Sequence, residues 1–315
     1  MKPYFSIIIP LYNKEKHIKD TLNCVWSQSF ENFEVIVIND GSTDGSLEKI
    51  NTINDKRLHI YSTKNQGVSS ARNYGISKAN ADLIVFLDAD DLWFNHHLQD
   101  LKDLFEAFPG CGMYCKAYEK RDKATLIPTE FNNIPKTASW KGIVKDYFYS
   151  SSVNSIAWTS AVMVPKSTLK KIGVFDTKIT LGAGEDTDLW IRIALEYPVA
   201  FSRKISAIHQ LHSDNRISNS NTNIRQFINL NRYNKQAEGN PSLKRYLDLN
   251  RFAIAIQYKL VGNTEKANIL ISEINSNSLN KKQRFLLYQP TVILRILFKL
   301  KQILKTKGIL LSSFK

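Results

Sequence analysis

Residues 5–9 read FSIII and residues 33–38 read FEVIVI, two short runs rich in β-branched side chains; Pro10 stops the first and Asn39, Asp40 and Gly41 stop the second. Apolar runs of that length bounded by turn residues predict buried strands. Between them, within residues 15–27, Ile18, Leu22, Val25 and Trp26 recur at helical intervals. The stretch as a whole therefore predicts a strand, a helix and a second strand.

The alternation continues outward from this unit. A helix is expected at about residues 45–52, with Ser42 or Asp44 placed to cap it, followed by a strand at 58–61, a helix at 68–78 and a strongly apolar strand at 82–87 (DLIVFL). Repeated alternation predicts an α/β fold with a doubly wound, parallel sheet. Ligands of such sheets bind beyond the carboxyl ends of the strands. Residues 10–13, 39–43 and 88–91 all fall there, so three loops are expected around one crevice. Residues 111–157 carry scattered aromatics and no clear period. A strand is expected at 160–164 and helices at 166–172 and 186–197. Residues 213–223 are rich in Asn and Ser and predict a loop, with a boundary near residue 220.

Composition narrows the partners. The 315 residues contain no run of about 18 uncharged apolar residues, so no membrane-spanning helix is expected. Residues 1–13 read as a strand entering a loop rather than a signal peptide, and the expectation is a cytoplasmic protein. Cys24, Cys111 and Cys115 are too few for a disulfide framework, and a single pair spaced like Cys111 and Cys115 makes a poor zinc site, so inert thiols are expected. The net charge of +14 is unevenly spread. Residues 221–315 hold 17 Lys and Arg against 4 Asp and Glu, which leaves the first 220 residues almost neutral.

The acidic loops carry the chemistry. Asp88, Asp90 and Asp91 end the 82–87 strand, and carboxylates so close repel one another. A divalent cation relieves that repulsion, and oxygen ligands with room for phosphates suit Mg²⁺ or Mn²⁺. The competing reading makes Asp90 or Asp91 the cap of a helix starting at Leu92, which uses one carboxylate and leaves two. Asp40 stands in a turn, either as a turn residue or as a ligand contact. Arg72 is either a solvated surface residue or a partner for a phosphate or a nucleobase carbonyl. Residues 182–188 (GAGEDTD) join a glycine loop to acids at a helix start. Such a segment can present a carboxylate to a hydroxyl and close over substrate, or simply complement the helix N-terminus. His96 and His97 read as surface residues, whereas His209 or His212 could complete a metal shell.

Taken together, residues 6–13 (SIIIPLYN), 37–46 (VINDGSTDGS), 65–75 (NQGVSSARNYG), 87–93 (LDADDLW) and 184–190 (GEDTDLW) resemble, in order and spacing, the family 2 inverting glycosyltransferases. The resemblance spans about residues 4–215. It implies a GT-A fold, with a Rossmann-like, mostly parallel central sheet flanked by helices, a nucleotide-sugar donor, most simply a UDP-sugar, and Mn²⁺ or Mg²⁺. Residues 1–220 would form the catalytic domain, with a donor-binding half at about 1–110 and an acceptor-binding half at about 111–220. Residues 221–315 would be a basic helical C-terminal extension.

The matched positions imply that Pro10 and Tyr12 flank the nucleoside, Asp40 bonds the base and Arg72 supports the nucleotide. Asp88 would contact the ribose or the metal shell and Ala89 the donor, and Asp90 would bind the metal together with His212. Asp186 would be the general base and Glu185 would bind acceptor or position the loop, while Asp91 is left as a helix cap. The implied reaction is a single displacement with inversion. Processive members of the family carry a Gln-x-x-Arg-Trp motif and membrane helices; the sequence has neither, which favours addition of one sugar in bacterial surface-polysaccharide assembly.

In the tail, residues 291–307 place Val292, Ile293, Ile296, Leu297, Leu300, Ile303 and Leu304 on one side, and Arg295, Lys299, Gln302 and Thr306 on the other. Such a basic amphipathic helix either lies on an anionic membrane, through residues 290–307, or docks on the catalytic domain. A lipid-linked saccharide acceptor at the inner face of the plasma membrane would make peripheral attachment useful. Two rival functions are less well matched. A nucleotidyltransferase needs a glycine-rich basic loop after the first strand, and residues 10–16 are not one. A nucleic-acid-binding protein needs a basic crevice, and these loops are acidic.

Overall fold

In the computed structural model, which describes residues 2–216, 220–306 and 311–314, the two apolar runs are adjacent parallel strands, β1 (Phe5–Leu11) and β2 (Phe33–Asn39). Both are buried almost throughout, because helices cover both faces of the sheet; this explains why the runs are continuous rather than alternating. The helix between them, α1 (Ile18–Trp26), buries Ile18, Leu22 and Val25. Next come α2 (Ser46–Asn51), β3 (Leu58–Ser62), α3 (Val68–Lys78) and β4 (Leu83–Phe86). Helix α3 lies so close to β1 that a Cβ on Gly75 would stand 2.5 Å from Cγ2 of Ile8. Glycine at that position lets the helix bearing Arg72 reach the sheet.

The chain continues through β5 (Leu92–Trp93), α4 (His97–Ala107), β6 (Met113–Asp122), β7 (Thr125–Pro128), β8 (Lys141–Ile143) and α5 (Tyr147–Ser150). It then forms β9 (Val162–Pro165), α6 (Lys166–Ile172), α7 (Glu185–Glu196) and β10 (Val199–Gln210). The sheet order is β3-β2-β1-β4-β9-β6-β10-β5, with β7 on β6 and β8 on β10. The strands β3, β2, β1 and β4 are parallel, as expected. Beyond them the sheet is mixed: β9 runs antiparallel to both β4 and β6, and β10 is parallel to β6. The chain turns back from β6 through the hairpin strand β7 rather than through the crossover helix that a parallel neighbour requires. Because β2 lies on one side of β1 and β4 on the other, strand order reverses at β1, and the loops after β1 and β4 flank the crevice opened there.

Three local expectations are corrected. Residues 111–157 are not irregular, since they contain the ten-residue strand β6. Lys116 interrupts its apolar pattern, but that lysine is itself buried, 2.9 Å from Asp100 and 3.0 Å from Ser202. No helix starts at Leu92. Leu92 and Trp93 pair with β10, and the next helix begins at His97 after His96, so neither Asp90 nor Asp91 caps it. His97 is not a surface residue: it is fully buried, stacked 4.2 Å from Trp93 and bonded to Ser206 Oγ at 2.8 Å. The three cysteines are free, and burial pushes the Cys24 thiol up to about 12.

The tail is helical, with α8 (Asn234–Glu238), α9 (Pro241–Leu260), α10 (Thr264–Ser272), α11 (Lys281–Tyr288) and α12 (Thr291–Thr306). The Asn240 side chain caps α9 by accepting from the Leu243 amide, with Pro241 in the first turn. The change of composition at residue 220 is not a change of core. Leu230, Tyr233, Leu243, Tyr246 and Leu247 join the cluster built on the sheet, and the Tyr233 hydroxyl donates to Asp188 at 2.6 Å. A second cluster sets Leu249, Phe252, Ala255 and Ile256 of α9 against Leu279, Leu287 and Leu294. Among the described residues no helix is long and apolar enough to cross a membrane. Residues 217–219 of the expected loop, and Lys307 at the end of the expected amphipathic helix, lie outside the described residues.

Candidate active site

A crevice of about 310 Å³ opens at the carboxyl ends of β1 and β4, within the range of small-molecule sites. The end of β1 contributes Pro10 and the loop after it Tyr12, the turn after β2 contributes Asp40, and α3 contributes Arg72. Asp88, Ala89 and Asp90 enter from the loop after β4, and Glu185 and Asp186 from the first turn of α7. Of the residues singled out from sequence for the site, only His212 is absent from the lining.

Arg72 organises the centre. It is buried, donating to Asp88 Oδ1 at 2.7 Å and to Glu185 Oε1 at 3.1 Å, with its guanidinium 5.2 Å from the Phe175 ring centroid. Burial opposes its charge, but the two carboxylates outweigh burial and hold its pKa above the ordinary arginine value. Glu185 is buried too; desolvation and the neighbouring Asp186 raise its pKa against the pull of Arg72. The Arg72 Nε and Glu185 Oε2 atoms are buried without a hydrogen-bond partner among the described residues. Arg72 thus ties the acidic loop after β4 to the first turn of α7.

The three aspartates after β4 are differentiated by their surroundings. Asp90 Oδ2 accepts from Lys14 Nζ at 2.8 Å and from the Ser213 hydroxyl. Burial acts to raise its pKa, but Lys14 and Ser213 prevail and hold it below the ordinary carboxylate value. Asp91 is pushed well above that value by burial and by Asp90 and Asp88. Its carboxyl meets Ser160 Oγ at 2.6 Å and the Gln210 amide at 3.1 Å, so it fastens the loop to the end of β10 instead of capping a helix. Asp40 accepts from the backbone amides of Gln66 at 2.9 Å and Gly67 at 2.8 Å, which shapes the loop leading into α3.

Asp186 lines the same crevice. Its Oδ1 accepts from the Thr187 amide at 2.6 Å, and Thr159 Oγ1 lies 3.4 Å from its Oδ2. The turn before it depends on Gly184, whose φ of +102° is a left-handed conformation that disfavours a side chain. Such a carboxylate at the wall of a cleft can accept a proton from a bound hydroxyl.

The two candidate histidines separate. His209 lines the crevice, stacked 5.0 Å from Trp158, and accepts from Arg216 at 3.0 Å. Burial and Arg216 drive its pKa down to about 3, so it is neutral at physiological pH. His212 instead pairs with Asp122 at the end of β6. Lys14, Trp158 and Arg216 also line the crevice and were not singled out from sequence. For Lys14 a signal existed in its place directly after the PLYN loop, as the cation closest in sequence to an acidic crevice.

The donor set suits a cation that shares its shell with phosphate. Asp88 Oδ2 and Asp90 Oδ1 accept no hydrogen bond among the described residues, and both line the crevice. No group of three or more His, Cys, Asp or Glu side chains among the described residues could by itself hold a metal ion. Two carboxylates with further ligands from a bound diphosphate match the way Mg²⁺ and Mn²⁺ are held beside phosphates. His212, paired with Asp122, is not brought into that set.

Residues 6–170 match the family model described as glycosyl transferase family 2. An uncharacterized glycosyltransferase of Rickettsia bellii is 29% identical over 235 residues, 72% of this chain and 32% of that protein. The putative teichuronic acid biosynthesis glycosyltransferase TuaG of Bacillus subtilis is 38% identical over 102 residues, 31% of this chain and 40% of that protein. The chain thus spans less than half the length of these relatives. Among solved structures, S. aureus TarS 1–349 in complex with UDP-GlcNAc superposes with a TM-score of 0.61 at 17% identity, covering 90% of this chain and 86% of that one. The likeness shows that the α/β architecture with its helical C-terminal region is a GT-A fold.

Proposed function

The chain belongs to glycosyltransferase family 2, and from that premise we propose that it transfers a single sugar, with inversion, from a UDP-sugar to a hydroxyl of a saccharide or lipid-linked saccharide acceptor. The observation that carries this reading is one crevice that gathers Asp88, Asp90 and Asp186, with Arg72 bonded between Asp88 and Glu185. Relatives named for teichuronic acid and amylovoran biosynthesis favour a role in cell-surface polysaccharide assembly.

Pro10 and Tyr12 flank the nucleoside. Asp40 Oδ2, which already accepts one backbone amide, keeps a lone pair for the N–H of a uracil ring. Asp88, Ala89 and Arg72 align the donor, and Asp90 with Asp88 would hold Mg²⁺ or Mn²⁺. When bound, that ion supplies positive charge against the diphosphate as it departs. Asp186 accepts the proton of the acceptor hydroxyl while its oxygen bonds to the anomeric carbon; the bond from that carbon to the phosphate oxygen breaks, and its electron pair leaves with the nucleoside diphosphate. Glu185, held by Arg72, positions the turn that carries Asp186.

Calorimetry with UDP, with and without Mn²⁺, tests the donor side, and a panel of nucleotide sugars screened for metal-stimulated hydrolysis identifies the sugar. Binding of UDP that strengthens with Mn²⁺ is expected. Absence of any nucleotide diphosphate binding would overturn the reading.

A further inference from the structure

The sequence alone offers two fates for the last amphipathic helix, docking on the protein or lying on a membrane. In the folded chain α12 has two different apolar sides. Leu294 is fully buried against Leu249, Phe252, Ala255 and Ile256 of α9, and Phe298 packs on the same cluster. At 100° per residue, Val292, Ile293, Ile296 and Leu300 fall on another side, within an arc of about 100°. Val292, Ile296 and Leu300 are 66%, 53% and 49% exposed. Arg295 and Lys299 stand along one edge of that arc and are exposed; the Arg295 guanidinium reaches back to the Leu260 carbonyl at 3.0 Å. In α11, Phe285 and Tyr288 are also more than half exposed.

We propose that α12 docks on α9 by one side and presents the other, Val292, Ile296 and Leu300 rimmed by Arg295 and Lys299, to an anionic lipid surface. Charge decides the occupant. Residues 281–315 contain nine Lys and Arg and no Asp or Glu, so two copies meeting through this face would bring like charges together. Anionic headgroups neutralise the same residues while the acyl boundary accepts the apolar arc. Because Leu294 and Phe298 anchor the helix to the second cluster, the face is presented by a folded body and not by a free tail. The helix lies in the interface and does not cross it.

The test uses the full chain without nucleotide, in flotation with phosphatidylcholine vesicles made with and without phosphatidylglycerol. Its outcome is independent of the proposed activity. Binding is expected only to the anionic vesicles, weakening with salt. The triple variant Val292→Ser, Ile296→Ser, Leu300→Ser should lower vesicle affinity by about tenfold or more, and Arg295→Gln with Lys299→Gln should lower it and flatten the salt dependence. All five positions are exposed, and circular dichroism melts verify that the variants stay folded. Equal binding to neutral and anionic vesicles, no binding to either, or unchanged binding of the triple variant would overturn the proposal. So would a concentration-dependent dimer in light scattering that the triple variant loses, since the face would then belong to a second copy.

Discussion

The ammonium of Lys14 lies 2.8 Å from Asp90 Oδ2 and also donates to the backbone carbonyls of Asp214 at 2.6 Å and Asn215 at 3.4 Å. One lysine therefore ties the loop after β1, the acidic loop after β4 and the segment after β10 together at the mouth of the crevice. Asn215 adds a bond to the Asn13 carbonyl, and Lys16 an exposed pair with Asp214. The carboxylate expected to meet a metal thus already has a protein cation beside it.

Replacing that cation gives the first prediction. Lys14→Met leaves Asp90 largely buried beside other acids with one charge uncompensated, so the variant should lose about 2 kcal/mol of stability, below the range for a fully buried pair because both partners keep some exposure. A divalent cation at Asp90 replaces the missing charge, so Mn²⁺ should raise the urea midpoint of the variant more than that of the parent chain. Equal stabilisation of both proteins by Mn²⁺ would mean that Lys14 and the ion do not share Asp90.

Asp186→Asn keeps the size of the side chain and its acceptor for the Thr187 amide while removing the capacity to take a proton. UDP binding should stay near that of the parent, and the transfer rate should fall by about 10²–10⁴. Single-turnover transfer with calorimetry on the same preparation separates the two effects. Transfer at close to the parent rate would place the base elsewhere.

Strands β1, β2 and β4 were legible because burial on both faces makes them unbroken apolar runs, and Pro10, Tyr12, Asp40, Asp88, Ala89 and Asp90 all stand at or just beyond their carboxyl ends. That the 182–188 segment ends in acids at a helix start was legible from its glycines followed by acids, and α7 does begin at Glu185. What escaped depends on contacts distant in sequence. Lys116 reads as a break in β6 until Asp100 from α4 and Ser202 from β10 meet its ammonium. His97 reads as a polar neighbour of His96 until Trp93 stacks on it and Ser206 bonds it. His209 and His212 are three residues apart and cannot be told apart by type. The end of β10 at Gln210 decides between them, leaving His209 in the crevice and His212 beside Asp122.

The burial of His97 has a pH signature. Desolvation and the neighbouring Lys116 hold its pKa well below the usual 6.5, so the folded chain keeps the ring neutral where the unfolded chain protonates it. Its contribution to stability is therefore complete above 6.5 and is lost progressively as pH falls from there towards the depressed folded value. His209, depressed to about 3, adds to the same acid-side loss. Urea midpoints should fall as pH drops below about 6.5, and His97→Gln, less stable at neutral pH, should show a shallower fall. A parent chain whose midpoint is flat from pH 7 to pH 5 would contradict a neutral buried imidazole.

Gly184 sets where the first turn of α7 lies, and through it the position of Asp186. Its φ is +102°, and an added Cβ would stand 2.9 Å from Cγ2 of Ile228, whose amide bonds the Ala183 carbonyl at 3.0 Å. Gly184→Ala therefore meets backbone strain and a packed neighbour together, at a cost of roughly 1–3 kcal/mol. Relief comes most readily by moving the turn, which carries Glu185 away from Arg72 and shifts Asp186 against the acceptor. The transfer rate should then fall about tenfold or more, because a displacement of the base by a fraction of an ångström spoils proton transfer, while UDP affinity changes little. Gly239→Ala is the control: its φ is −95° and an added Cβ meets nothing within 4 Å, so neither stability nor rate should move appreciably. Loss of UDP affinity in Gly184→Ala in step with the rate would show that the turn holds the donor as well as the base, and the division of the crevice between the two would have to be redrawn.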